Sequence, residues 1–363
     1  MSTTPDSTAP NFVDKAKPVR AGEELDIAKV AAYLHSVDAS LSGTPEVTQF
    51  PGGASNLTYL LTYADGRELV LRRPPFGHRA KSAHDMMREA RVMQALRPVY
   101  PFVPKVVALC DDTSVLDAEF FVMERLRGII PRTNMPKGMA LTPEATRKLC
   151  LSVIDRLVEL HKVDHVAAGI SLGKGEGYVE RQIKGWSDRY RKSRTPNVGD
   201  YEQVMSWLAA KMPASEVAIC VVHNDFRFDN VVLDPDDLTV VGVLDWEMAT
   251  LGDPLMDLGN SLAYWVQADD EQFRQLTRRQ PTHLPGMLTR AEVIAYYGEK
   301  TGFEVDNFDF YEVYGLFRLA VIVQQIYYRF HHGQTKNPEF AAYFGITQYL
   351  EKLCLSMIEK SKL

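Results

Sequence analysis

The chain has 363 residues, 45% of them hydrophobic and 24% charged, and a formal charge of -6. That length exceeds the roughly 250 to 300 residues at which a single core stops growing, so two packed lobes are expected. The negative balance gives no reason to expect a nucleic-acid partner, and no apolar run approaches the roughly 18 residues needed to span a bilayer.

Residues 1–20 are rich in Ser, Thr, Pro and charge and lack the apolar core of a signal peptide, which predicts a disordered leader. Asp26–Leu34 carries Ile27, Val30, Ala31 and Leu34 at helical spacing. Strands follow at Val47–Phe50, Leu57–Tyr63 and Leu69–Arg72. They are broken by Gly52-Gly53 and by the turn signal Ala64-Asp65-Gly66, a pattern that predicts an antiparallel sheet. Ser82–Leu96 opens with Ser82 and Asp85 in capping-box-like spacing and carries Met86, Ala90, Met93 and Leu96 on one face. Glu89 lies on that inward stripe, where an unpaired carboxylate is costly, and Arg72 is its obvious partner. Arg88 and Arg91 face elsewhere on this helix.

Lys105–Leu109 and Phe120–Met123 read as two further strands, after which Glu124–Gly128 leaves the sheet as a polar connector. Thr142-Pro143 supplies an N-cap and a first-turn proline for a helix through His161. Tyr201–Lys211 and Arg290–Thr301 are further helices. Cys110, Cys150, Cys220 and Cys354 are far apart with no C-x-x-C pair, which argues against a disulfide scaffold or zinc site and for reduced thiols in a cytoplasm.

The most informative stretch is His223-Asn224-Asp225-Phe226-Arg227-Phe228-Asp229-Asn230, followed by Val231–Leu233, the turn Asp234-Pro235-Asp236-Asp237, Thr239–Leu244 and Asp245-Trp246-Glu247. The two apolar runs around that turn predict a β-hairpin, whose closure brings Asn230 close to Asp245. Carboxylate and amide oxygens suit a hard cation such as Mg²⁺, which keeps waters and takes few protein ligands beside substrate phosphates. Asp225, on the same loop as Asn230, suits acceptance of a proton from an attacking hydroxyl.

H-x-D-x-x-x-x-N with an Asp after a hairpin resembles kinase-type catalytic and metal loops, and most closely those of the aminoglycoside phosphotransferase and choline kinase-like family. The resemblance implies an α+β, protein-kinase-like fold with two lobes: residues 21–125 as an antiparallel nucleotide-binding lobe, and residues 126–363 as a mainly helical lobe for catalysis and acceptor binding. It implies ATP and Mg²⁺ in the cleft between them. Asp225 matches the catalytic base, Asn230 and Asp245 the metal ligands, and His223 and Asp257 the supports of the catalytic loop. Asn224 stands where the family usually has Gly.

Pro51–Asn56 resembles the loop that covers the nucleotide, with Ser55 and Asn56 near the phosphates. Arg72 occupies the place of the kinase strand lysine, with Glu89 as its ion-pair partner; a guanidinium grips phosphate in a different geometry. Glu124 and Leu126 match the hinge backbone that bonds the adenine edge. Arg227 either clamps the transferring phosphoryl group or salt-bridges Asp229 or Glu247. Glu176–Trp186 and Arg318–Arg329 resemble a subgroup that includes kinase-like domains fused to acyl-CoA dehydrogenases, which implies hydroxy acids or hydroxyacyl-CoAs as acceptors. An aminoglycoside or amino-alcohol kinase, a non-catalytic nucleotide-binding regulator and a metal-dependent hydrolase are the competing readings. Under the favoured one the partner is a hydroxylated small molecule, with neither nucleic acid nor membrane.

Overall fold

The computed structural model describes residues 12–51, 56–76 and 85–363, which form two compact units. One runs through Ala140 and includes Asn230–Glu247; the other comprises Leu141–Asp229 and Met248–Leu363.

The first unit begins with α1 (Ile27–Val37), whose N-cap Asp26 accepts from the Lys29 amide. Its sheet contains β1 (Glu46–Gln49), β2 (Leu57–Thr62), β3 (Glu68–Arg73), β4 (Val106–Cys110) and β5 (Phe120–Glu124), antiparallel throughout in the order β1-β2-β3-β5-β4. Alternation along the strands sends Tyr59, Leu61, Leu71, Phe120 and Val122 into one core with Val30 and Leu34 of α1. Arg72, next to Leu71, therefore projects to the other face and meets Glu89 of α2 (Met86–Leu96). Arg73 points the opposite way, buried, with its guanidinium 3.7 Å over the Phe76 ring. Asp85 caps α2, accepting from the Arg88 amide at 2.8 Å, whereas Ser82 lies outside the described residues.

The expected disordered leader fails from Asp14 onward. Lys17 bridges Gln49 through amide bonds of 2.8 and 2.7 Å, and the Asp14 amide donates to Gly128 O at 3.0 Å. Arg132 pairs with the Asp14 carboxylate at 2.7 Å. Backbone pairing to the edge of a sheet outweighs the polar composition of this segment. Residues 1–11 lie outside the described residues.

The second unit contributes α3 (Pro143–His161), α4 (Tyr178–Ser193), α5 (Glu202–Ala210) and β6 (Cys220–Val222). The hairpin of β7 (Val231–Leu233) and β8 (Val240–Val243) follows, but it packs with the first unit: Ile129 bridges Leu233, and the Val243 amide donates to Phe102 O at 2.8 Å. The expected boundary at 125/126, with everything after it in one lobe, is thus displaced to Ala140 and interrupted by the hairpin.

Back in the second unit, β9 (Thr250–Gly252) pairs with β6, so the loop that begins at His223 leaves one strand of a small ladder. The remaining helices are α6 (Pro254–Ala263), α7 (Gln272–Leu276), α8 (Arg290–Thr301), α9 (Asp309–His331) and α10 (Tyr343–Lys360). Helices α6 and α9 approach closely at two glycines. A Cβ on Gly259 would lie 2.3 Å from Tyr311 O, and one on Gly315 2.1 Å from Gly259 O. Among the described residues no helix is long and apolar enough to cross a membrane.

Candidate functional site

In the first unit the hairpin does what its sequence predicts. Val231 pairs with Val243, and the Leu244 amide donates to Asn230 O at 2.8 Å, so Asn230 and Asp245 become neighbours at the open end. Asp245 sits at φ +67°, a left-handed turn that Asp tolerates better than most residues. The next residue, Trp246, is fully buried, with its indole N–H donating to Val243 O at 2.9 Å and its ring against Tyr100. A buried anchor therefore fixes the position of the preceding carboxylate.

Arg72 joins the sheet to this turn. Its guanidinium bonds the Glu89 carboxylate and, at 3.1 Å, Asp245 Oδ1. Glu89 is fully buried; burial pushes its carboxyl up while the Arg72 charge pulls it back. Arg72 is held protonated by the carboxylates of Glu89, Asp245 and Glu247, which outweigh its own burial. Glu89 therefore acts on any ligand only through Arg72. The Asn56 amide donates to Glu247 Oε2 at 3.0 Å, and Arg88 donates to the Glu247 carbonyl at 2.9 Å. Arg88 was expected to face elsewhere; its reach to a turn 159 residues away leaves no local signal. Ser55 lies outside the described residues.

Among the described residues no three His, Cys, Asp or Glu side chains gather as a metal cage. Asn230 and Asp245 offer one amide and one carboxylate oxygen. Those hard donors fit Mg²⁺ arriving with phosphates and waters, and they are too few for an ion held by protein alone. At the expected hinge, the Glu124 amide is committed to Lys105 O at 2.8 Å. The Leu126 side chain packs on β8, where a Cβ at Gly242 would lie 2.0 Å from its Cδ1.

In the second unit the loop after β6 is held from beneath by Asp257 of α6, which is fully buried. The His223 amide donates to Asp257 Oδ2 at 2.7 Å and the Asn224 amide to Oδ1 at 2.8 Å. His161 Nε2 lies 3.1 Å from Oδ2. Burial alone would push the Asp257 carboxyl up; these bonds and the neighbouring histidines outweigh it and hold it below the ordinary carboxylate value. His223 is itself buried, and its Nδ1 accepts from the Asp225 amide at 3.2 Å, as suits an anchor. The flanking Phe226 and Phe228 are buried, and the Phe228 amide donates to Gln280 Oε1 at 2.8 Å.

Between these anchors the Asp225 side chain retains 22% exposure. Arg227 lies 3.3 Å from Asp225 Oδ2 and 3.1 Å from Asp229 Oδ1, with its guanidinium 4.6 Å over the Tyr264 ring. Of the partners foreseen for Arg227, the structure contains Asp229. Sequence reasoning also passed over Tyr178, Asn260 and Arg318, which reach this loop from three helices. Their separations from Asn224 range from 36 to 94 residues, so spacing carries no trace of them.

Residues 46–292 match the model of the phosphotransferase enzyme family. Acyl-CoA dehydrogenase family member 10 of Mus musculus is 33% identical over 352 residues, which is 96% of this chain and 32% of that protein. Acyl-CoA dehydrogenase family member 11 of Rattus norvegicus is 32% identical over 325 residues, 87% of this chain and 41% of that one. The chain thus spans well under half the length of these curated relatives. A crystal structure from Ralstonia eutropha, assigned as an aminoglycoside phosphotransferase, superposes with a TM-score of 0.79 at 27% identity, covering 94% of this chain and 100% of that one. A macrolide 2'-phosphotransferase type I shares the fold at a TM-score of 0.59 and 20% identity, covering 90% and 98%.

Proposed function

This chain belongs to the phosphotransferase enzyme family, and from that premise we propose that it is a kinase that moves the γ-phosphoryl group of Mg²⁺-bound ATP to the hydroxyl of a small molecule, with hydroxy acids and hydroxyacyl-CoAs as the acceptor class. The observation that carries the reading is the Arg72 guanidinium shared between Glu89 and Asp245. A cation fixed beside the carboxylate at the open end of the hairpin is suited to hold phosphate next to a residue that would hold the metal.

In this reading the acceptor oxygen attacks the γ-phosphorus, the bond to the bridging oxygen of ADP breaks, and the hydroxyl proton passes to the Asp225 carboxylate. Asn230 and Asp245 hold Mg²⁺, which when bound neutralises phosphate charge. Arg72 orients the phosphates and Glu89 orients Arg72. The backbone of Glu124 and Leu126 would take the adenine edge, Asn56 and, by the family resemblance alone, Ser55 would serve the phosphates, and His223 and Asp257 keep the loop in place. Arg227 holds Asp225 and Asp229 until the phosphoryl charge develops. Four free, buried cysteines support a reducing, cytoplasmic setting.

The acceptor class rests on two supports: the likeness of Glu176–Trp186 and Arg318–Arg329 to the fused kinase-like domains, and the names of the relatives. A second reading, a nucleotide-binding regulator without turnover, is favoured by Arg72 standing in the lysine place and already bonded to Asp245. ADP release measured over hydroxy acids, hydroxyacyl-CoAs, choline, amino sugars and aminoglycosides decides between them. Turnover confined to hydroxy acids or their CoA forms supports the proposal; phosphorylation of aminoglycosides instead overturns its acceptor class; tight ATP binding with no turnover on any acceptor favours the regulator.

A further inference from the structure

Asn224, immediately before the proposed base, occupies φ +65°, the left-handed region where glycine is most at ease. Asn also tolerates that region, so conformation alone could account for it. Its side chain does more than tolerate the turn. Asn224 Oδ1 accepts from the Tyr178 hydroxyl of α4 at 2.8 Å and from Asn260 Nδ2 of α6 at 3.2 Å. Its Nδ2 donates to Met248 O at 3.2 Å. The main chain is held as well, the amide by Asp257 and the carbonyl by Arg318 of α9 at 2.8 Å. Arg318 is buried, with its guanidinium 5.1 Å over the Trp186 ring.

We propose that Asn224 is a positioning residue for Asp225: its side-chain amide fastens the loop to α4, α6 and the segment after the hairpin, while Arg318 fixes its carbonyl from α9. The proposal rests on the phosphotransfer reading for its kinetic consequence. Each tie removes a direction in which the Asp225 backbone could tilt, and displacement of a reacting group by about 1 Å is enough to lower a rate about a hundredfold. A glycine here would keep the backbone conformation and its two main-chain bonds while losing every side-chain tie.

Asn224→Gly is therefore the informative substitution, with Tyr178→Phe as a milder one that deletes a single hydroxyl. Both are compared with the unaltered full chain by ADP release from Mg²⁺-ATP, using the best acceptor of the screen or water, and by amide hydrogen exchange over 223–229. Asn224→Gly is expected to lower kcat about 10- to 100-fold with KM for ATP changed less than about twofold, and to speed loop exchange about tenfold. Tyr178→Phe is expected to fall between. Wild-type kcat and exchange in Asn224→Gly overturn the proposal and leave Asn224 as a residue that merely accepts a positive φ. A rise in KM for ATP without loss of kcat also overturns it. Should no acceptor support turnover, the exchange measurement still decides the loop's dependence on Asn224, so the failure of the phosphotransfer reading is seen separately.

Discussion

Asp257→Asn tests whether a buried carboxylate holds the His223–Asp225 loop by charge-assisted bonds to backbone. Oδ1 accepts from the Asn224 amide, and Oδ2 accepts from the His223 amide while facing His161 Nε2. An asparagine must place its NH₂ on one side or the other, and either choice sets a donor against a donor. The cheaper choice, toward Asn224, loses one charged bond and leaves one buried amide unsatisfied, which costs about 2–4 kcal/mol. For a unit of this size each kcal/mol lowers Tm by about 2–4 °C, so a fall of about 4–16 °C is expected at pH 7.

Acid removes the difference. The folded carboxyl titrates below its ordinary 3.8, so its contribution is complete above that value and is lost as pH falls through the lower folded value. Urea unfolding of wild type and Asp257→Asn should therefore stay apart at neutral pH and converge on acidification. Activity at 25 °C should fall in kcat with KM for ATP little changed. A variant with wild-type Tm at pH 7, or a gap that widens in acid, refutes the reasoning.

Asp225→Ala should lower turnover by about 10² to 10⁴ while ATP still binds, measured by ADP release and by titration calorimetry; retained turnover removes Asp225 from the base role. Arg72→Met leaves the fully buried Glu89 without its cation and should lose about 3–5 kcal/mol of stability, less at pH 6 than at pH 8 because a proton on Glu89 relieves the unpaired charge. Denaturation at both pH values checks this, and an equal loss would argue that Glu89 is already neutral. Gly259→Ala would drive a Cβ against Tyr311 O, separating α6 from α9. A loss of about 1–3 kcal/mol in Tm-derived stability together with a lower kcat is expected, since α6 carries Asp257 and α9 carries Arg318.

Local chemistry was legible where one residue type at one spacing forces a geometry. The turn Asp234–Asp237 between two apolar runs fixed the hairpin and hence the meeting of Asn230 with Asp245. The helical stripe of α2 placed a carboxylate inward, and strand alternation sent Arg72 toward it, which together predicted the buried pair. Long-range ties were not legible. Nothing near Tyr178 or Arg318 announces that each will end on Asn224, because a tyrosine hydroxyl or a guanidinium finds its partner only after helices have packed. The grouping of the hairpin with the sheet unit escaped for the same reason: its contacts with Phe102 and Ile129 join residues more than a hundred positions apart. The leader shows the opposite failure, where composition argued for disorder and a short backbone pairing with Gln49 prevailed.

Three aspartates of the His223–Asp257 segment show how environment assigns roles to one side-chain type. Asp257 is wholly buried and spends both oxygens on backbone amides and a histidine, so no surface remains to meet a ligand. Asp245 keeps 32% of its side chain exposed and is held by a single guanidinium contact at 3.1 Å, which leaves lone pairs for a cation. Asp225 keeps 22% exposed, with Arg227 3.3 Å away on the same loop. Arg227 occupies the oxygen that would take the proton in the proposed reaction. On the proposed mechanism Arg227 would have to release Asp225 as phosphoryl charge develops, and Asp229 and the Tyr264 ring are the contacts that would then hold its guanidinium.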